Sequence, residues 1–148
     1  MPEVIDHVAI RVSDLERSRE FYEGALGALG MEVLYLRGPD DATGPGVAFG
    51  RPGSDDFAIH SPIADAGRDA VTRGVHLAFA ARSADQVNAF HAAGLARGGR
   101  DIGPPGPRPE YSDRYYGAFL LDPDGNNVEA VYHAPVPLEQ RAEQAANS

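Results

Sequence analysis

The chain has five histidines and no cysteine, so any metal it binds must be held by nitrogen and oxygen. Three of the histidines and one carboxylate fall into a pattern. Sliding the sequence against itself by 69 residues, with no gap, lays His7 on His76 and His60 on Glu129. The same shift lays IDHVAI on GVHLAF, Phe21 on Phe90, Leu26 on Leu95, Gly30 on Gly99 and Val33 on Ile102. A repeat found through two histidines thus also matches a helix face and a helix-ending glycine. A single His or Glu in a strand is ordinarily a packed or surface group. Three imidazoles and a carboxylate fixed by one repeat suit a divalent ion such as Fe, Mn, Co, Ni or Zn, with positions left for substrate or water.

The elements that would carry these residues read as two βαβββ modules. Val4 to Val12 alternates, with Val8, Ile10 and Val12 on one face and His7, Ala9 and Arg11 on the other. A helix follows, opened by Ser13 and Glu16 as a capping box, with Leu15, Tyr22, Leu26 and Leu29 along one stripe and Gly30 past its end. MEVLYLR, GVAFGR and DDFAIHS are strands, the last carrying His60, and Gly38 to Gly46 is a loop. Alanines and alternating charge from Pro62 to Thr72 read as a linker.

The second module repeats the order. GVHLAFAA places His76, Ala78 and Ala80 on one face, Ser83 and Gln86 form a capping box, and Val87, Phe90 and Leu95 make the buried side of a helix ended by Gly98 and Gly99. Gly103 to Arg114 is rich in Pro and Gly and predicts a loop that covers a pocket. YYGAFLL and NVEAVY then form a hairpin about the structural turn Asp-Pro-Asp-Gly-Asn, with Glu129 in its second strand. One domain therefore spans about residues 1–133, with module one at about 4–61, a linker at about 62–73 and module two at about 74–133, and a tail at 134–148.

At 148 residues and 43% apolar content the chain can build that one core. It has no run of about 18 apolar residues and no leader pattern at its start, which predicts a cytoplasmic protein. A net charge of −9 argues against nucleic acid as a partner and tolerates cationic ligands.

HVAIRVSDLERSREFYEGALG, GVHLAFAA and DPDGNNVEAV resemble the vicinal oxygen chelate superfamily, which includes glyoxalase I, extradiol dioxygenases, methylmalonyl-CoA epimerase, fosfomycin resistance enzymes and bleomycin resistance proteins. The resemblance covers about residues 4 to 133. It implies an α+β fold in which paired βαβββ modules form a curved mixed sheet around a cleft, usually as a homodimer. It also implies one divalent metal ion on the first and fourth strands, where His7, His60, His76 and Glu129 fall. The dioxygenases resemble a two-His, one-carboxylate triad, which His7, His76 and Glu129 would supply, with His60 as a nearby acid or base. Glyoxalase-type lyases and epimerases carry Glu or Gln where this chain has His60. Arg11 is similar to an arginine that contacts glutathione in glyoxalase I, but Ala64 stands where an asparagine is usual.

These readings predict a metal-dependent small-molecule enzyme, a lyase, isomerase or ring-cleaving dioxygenase. His60 and Glu129 would move protons, and Arg11, Tyr115 and Tyr116 would contact substrate. Tyr111 is a further candidate for the cleft, while His91 and His133 read as surface residues. Two alternatives belong to other classes. One is a metal-free protein of the bleomycin-resistance kind that sequesters a cationic ligand in an acidic dimer groove. The other is a fosfomycin-type thiol transferase, for which His7, His76 and Glu129 would suffice.

Overall fold

The computed structural model describes residues 4–42, 44–62 and 71–139. Most of the linker expected at about 62–73, with Ala64, and most of the tail expected from 134 lie outside these residues. Ten elements follow in order: β1 (Val8–Arg11), α1 (Leu15–Gly27), β2 (Glu32–Arg37), β3 (Gly46–Arg51), β4 (Ser54–His60), β5 (His76–Ala80), α2 (Ala84–Ala96), β6 (Arg100–Pro107), β7 (Tyr115–Leu121) and β8 (Asn127–His133). They make two four-stranded sheets of matching order, β1-β4-β3-β2 and β5-β8-β7-β6. In each, the first and fourth strands run parallel and the other pairs antiparallel. This is the α+β pair of βαβββ units that the repeat predicts.

Each helix is positioned by its apolar stripe. Phe21, Tyr22, Ala25 and Leu26 of α1 are buried, at the i, i+1, i+4, i+5 spacing of a helix face. On α2 the stripe is Val87, Phe90, His91 and Gly94. The two helices pack against one another, so both modules share one core, in which Ile10, Phe49, Phe57 and Ile59 join Ala118, Leu120, Val128 and Ala130. Gly94 permits close approach, since a methyl there would meet Leu120 at 2.4 Å and Phe21 at 3.2 Å.

Several local readings change. The strand expected at Val4 to Val12 forms only over Val8–Arg11, because the parallel partner register begins at Val8↔Phe57. The cap of α1 is Asp14, whose carboxylate accepts from the Arg17 N–H, and Ser13 bonds Asp124 of the distant hairpin instead. Ser83 caps α2 as expected. Leu95 is 42% exposed, unlike its counterpart Leu26, whereas His91 is buried within the stripe and bonds Asp101 at 2.9 Å.

Of the loop expected at Gly103 to Arg114, residues 108–114 are turns and irregular backbone, but the Pro-rich part, 103–107, belongs to strand β6. It lies at the sheet edge, where a residue with no N–H costs no ladder bond, and it pairs with β7 through two irregularities of register. Arg108 closes it, donating to the carbonyls of Pro104, Gly106 and Pro107.

The Asp122–Asn126 turn is structural, and it ties the modules together. Asp122 is buried and accepts from Tyr22 Oη at 2.5 Å and from the N–H groups of Asp124 and Asn126. Asn126 donates to the Thr72 carbonyl and accepts from the Val75 N–H. Gly125 takes φ 87° to close the turn.

Candidate metal centre

Glu129 is the centre of the site because it is a carboxylate where burial demands a partner. Its neighbours Val128 and Ala130 face the core, so strand alternation turns Glu129 to the opposite face, yet it is only 2% exposed. Nε2 of His76 lies 2.9 Å from Oε1, and the Tyr115 hydroxyl donates to Oε2. His76 reaches it because β5 and β8 are parallel neighbours in the register His76↔Asn127 and Ala78↔Glu129.

Aromatic groups wall the carboxylate. The Phe119 ring is 6.1 Å from the His76 ring, and Tyr115 has Tyr111 at 5.0 Å and His133 at 5.3 Å. Burial, with the neighbouring Glu129 carboxylate, pushes the Tyr115 phenol well up, so it remains a donor. On its other side His76 opens on a cleft of about 430 Å³ between β5 and the β1–β4 edge, where Ile5, Val8, Arg51 and Asp56 also line the wall. His133 is exposed, as expected.

The first module does not mirror this arrangement. Ala9 pairs with Ala58, as Ala78 pairs with Glu129, so Ala58 occupies the place of Glu129. His60 pairs with Arg11 and with Gly46, and its counterpart is Val131, which pairs with Ala80 and Gly117. The repeat is 69 residues for β1, α1 and their counterparts and 71 for β3 and β4. The difference enters between Gly106 and Gly117, which pair 11 residues apart, whereas their counterparts Arg37 and Gly46 pair 9 apart. The prolines that open the two hairpin turns, Pro52 and Pro123, are also 71 apart and carry this signal in the sequence.

His60 nevertheless shares the Ala58 face and is 6% exposed. Its Nδ1 has no hydrogen-bond partner among the described residues and rests against Gly46, where a methyl would come within 2.6 Å. Burial, then the charge of Arg11, lowers its pKa. The unfolded chain thus binds a proton more readily than the folded one below the ordinary value of 6.5. Stability contributed by neutral His60 is present above about pH 6.5 and falls as the pH drops through its folded pKa. Urea midpoints from pH 7.5 to 5 should decline less steeply for His60→Gln than for the native chain. Parallel slopes would refute this.

The remaining predicted residues scatter. His7 precedes β1, is exposed and bonds Asp6 at 2.8 Å, which raises its pKa. Arg11 gives Nη1 to the Ser61 carbonyl beside His60. Tyr116 lies on the helix side of β7, where its hydroxyl donates to Asn88 on α2, because adjacent strand residues face opposite ways. Among the described residues no three His, Cys, Asp or Glu side chains stand close enough to hold one ion. One chain therefore brings together His76 and Glu129, and neither His7 nor His60 with them. The donors fit half of a metal site: a nitrogen and a buried carboxylate oxygen converge, with the second oxygen already fixed.

The family model described as the Glyoxalase/Bleomycin resistance protein/Dioxygenase superfamily matches residues 4–130. The chain belongs to this superfamily. A glyoxalase/bleomycin resistance protein from Albidiferax ferrireducens T118 is 36% identical, with 88% of this chain and 98% of that one covered and a TM-score of 0.69. A putative glyoxalase from Bacillus halodurans is 26% identical over 87% of this chain and 95% of that one, with a TM-score of 0.63. A glyoxalase I variant from Zea mays is 27% identical over 89% of this chain but 47% of its own length, with a TM-score of 0.62. No curated protein matches the chain. Superfamily membership agrees with a small-molecule ligand, and among the described residues no helix is long and apolar enough to cross a membrane.

Proposed function

We propose that the protein is a divalent-metal-dependent small-molecule enzyme of the glyoxalase/dioxygenase type, acting as a homodimer in the cytoplasm. The convergence of His76 and buried Glu129 carries this reading. A hydrogen-bonded carboxylate at 2% exposure and an imidazole open to a cleft are what a ligand pair requires before an ion parts them. The third ligand is His7 of a second copy, since His7 is exposed in its own chain and three donors do not meet among its described residues. The metal, when bound, supplies a Lewis acid for two adjacent oxygens of a substrate. Glu129 and His76 hold it, the aromatic wall excludes water on one side, and Arg11 and Tyr111 remain candidates for contact with substrate.

His60 has no ligand role in this reading, because Ala58 stands at the position equivalent to Glu129. The set is then two histidines and one carboxylate, which leaves more open positions than a four-ligand site and favours dioxygenase-type over glyoxalase-type chemistry. A buried, neutral His60 stays a candidate proton acceptor, and Glu129 a second.

The test is complementation between variants. His7→Ala and His76→Ala homodimers should each lack metal. Mixed and refolded together, they should form heterodimers with one intact site, giving up to half an equivalent of metal per dimer averaged over a statistical mixture. His60→Ala should keep the native stoichiometry. Failure of the mixture to recover metal would sink the shared site, and metal-free native protein after reconstitution would sink the enzyme in favour of the sequestering protein.

A further inference from the structure

Tyr115 and Glu129 occupy the same face of the second sheet but not the same rung. Tyr115 is paired with His133 and Glu129 with Phe119, with the Gly117↔Val131 rung between them. The tyrosine ring spans that gap by lying along the strand over Gly117. A methyl at Gly117 would stand 3.1 Å from Cε1 of Tyr115 and 3.3 Å from Oε2 of Glu129, so the glycine keeps the path of the ring clear. The hydroxyl ends on Oε2, while Oε1 faces Nε2 of His76 at 2.9 Å.

We propose that Tyr115 is a positioning residue which occupies Oε2 of Glu129, so that the carboxylate offers a divalent ion a single oxygen, Oε1, on the side of His76. The proposal rests on the metal reading above. A carboxylate can ligate through one oxygen or two, and the second would take a coordination position that a substrate oxygen needs. Partners of a ligand set its orientation and commonly change metal affinity 10- to 100-fold when removed. Tyr115 therefore acts through Glu129 and touches neither ion nor substrate.

Co(II) added to the full-length native protein and to Tyr115→Phe tests this, with affinity read by titration calorimetry and coordination by the visible ligand-field bands. Tyr115→Phe keeps the ring and frees Oε2. Its Co(II) affinity should change roughly 10- to 100-fold, and its bands should shift as the second oxygen joins the ion. Gly117→Ala, which keeps the hydroxyl but crowds the ring, should shift the bands in the same sense. It also decides the question should Tyr115→Phe fail to fold, as judged by near-ultraviolet circular dichroism. Native affinity and bands in either folded variant overturn the proposal alone. Absence of Co(II) binding by the native protein overturns the metal reading and this proposal with it.

Discussion

His76→Ala is expected to remove bound divalent metal from the protein, taking a reconstituted content of about one equivalent per chain to near zero. The affinity loss should exceed the 10- to 100-fold typical of residues that merely orient a ligand, because a ligand itself is lost. The substitution also leaves Oε1 of a carboxylate that is 2% exposed without its Nε2 partner. An unsatisfied buried group costs about 1–3 kcal/mol, so the metal-free variant should also unfold earlier than the native chain. Mass-spectrometric metal content beside a thermal melt separates the two effects. Retention of one equivalent with native affinity would remove His76 from the ligand set.

Asp122→Ala should be among the most destabilising substitutions outside the core, by about 3–5 kcal/mol, a sum over several orphaned buried donors at about 1–3 kcal/mol each. The donors are Tyr22 Oη, in a side chain that is fully buried, the N–H groups of Asp124 and Asn126, and Nδ2 of Asn126. Burial, the largest cause of the raised Tyr22 pKa, persists without Asp122, so the phenol cannot dispense with an acceptor by ionising. The Asn126 side chain, set by the same carboxylate, connects to Thr72 and Val75 at the approach to β5. The loss should thus loosen both modules together, as one cooperative unfolding step with an earlier urea midpoint. Asp122→Asn, which keeps one acceptor oxygen, should lose less. A midpoint for Asp122→Ala that corresponds to under 1 kcal/mol would mean that the turn closes without its carboxylate.

Much of this arrangement was legible in the residues, for reasons of periodicity. Both βαβββ modules, the helix stripes through Phe21, Tyr22, Leu26, Val87 and Phe90, and the side of each strand that faces the core follow from spacings of 3.6 and 2. What failed was phase across an insertion. A gapless 69-residue shift holds while helix and first strand are compared, and it misplaces the fourth strand by two residues. Two is one full strand period, so His60 keeps the correct face while losing the correct rung, and no test of alternation detects the error. Pro52 against Pro123 would have. The Pro-rich segment was misread because proline argues against a strand only where both edges must be paired. His91 was misread by its chemistry, although its spacing from Val87 places it in the stripe.

The wrapping of β6 also bears on how the protein avoids sticking to itself. An unpaired sheet edge recruits foreign strands through exposed N–H donors and carbonyl acceptors. Along the Pro-rich half of β6, from Gly103 to Pro107, most of both kinds are withdrawn. Pro104, Pro105 and Pro107 have no donor to offer, the Gly103 N–H is taken by Asp101, and Arg108 holds the carbonyls of Pro104, Gly106 and Pro107. The corresponding edge of the first sheet, β2, has no proline and exposes Leu36 at 59%. The edges β2 and β6 are therefore unequal as templates for added strands, and Arg108 acts as a gatekeeper of β6.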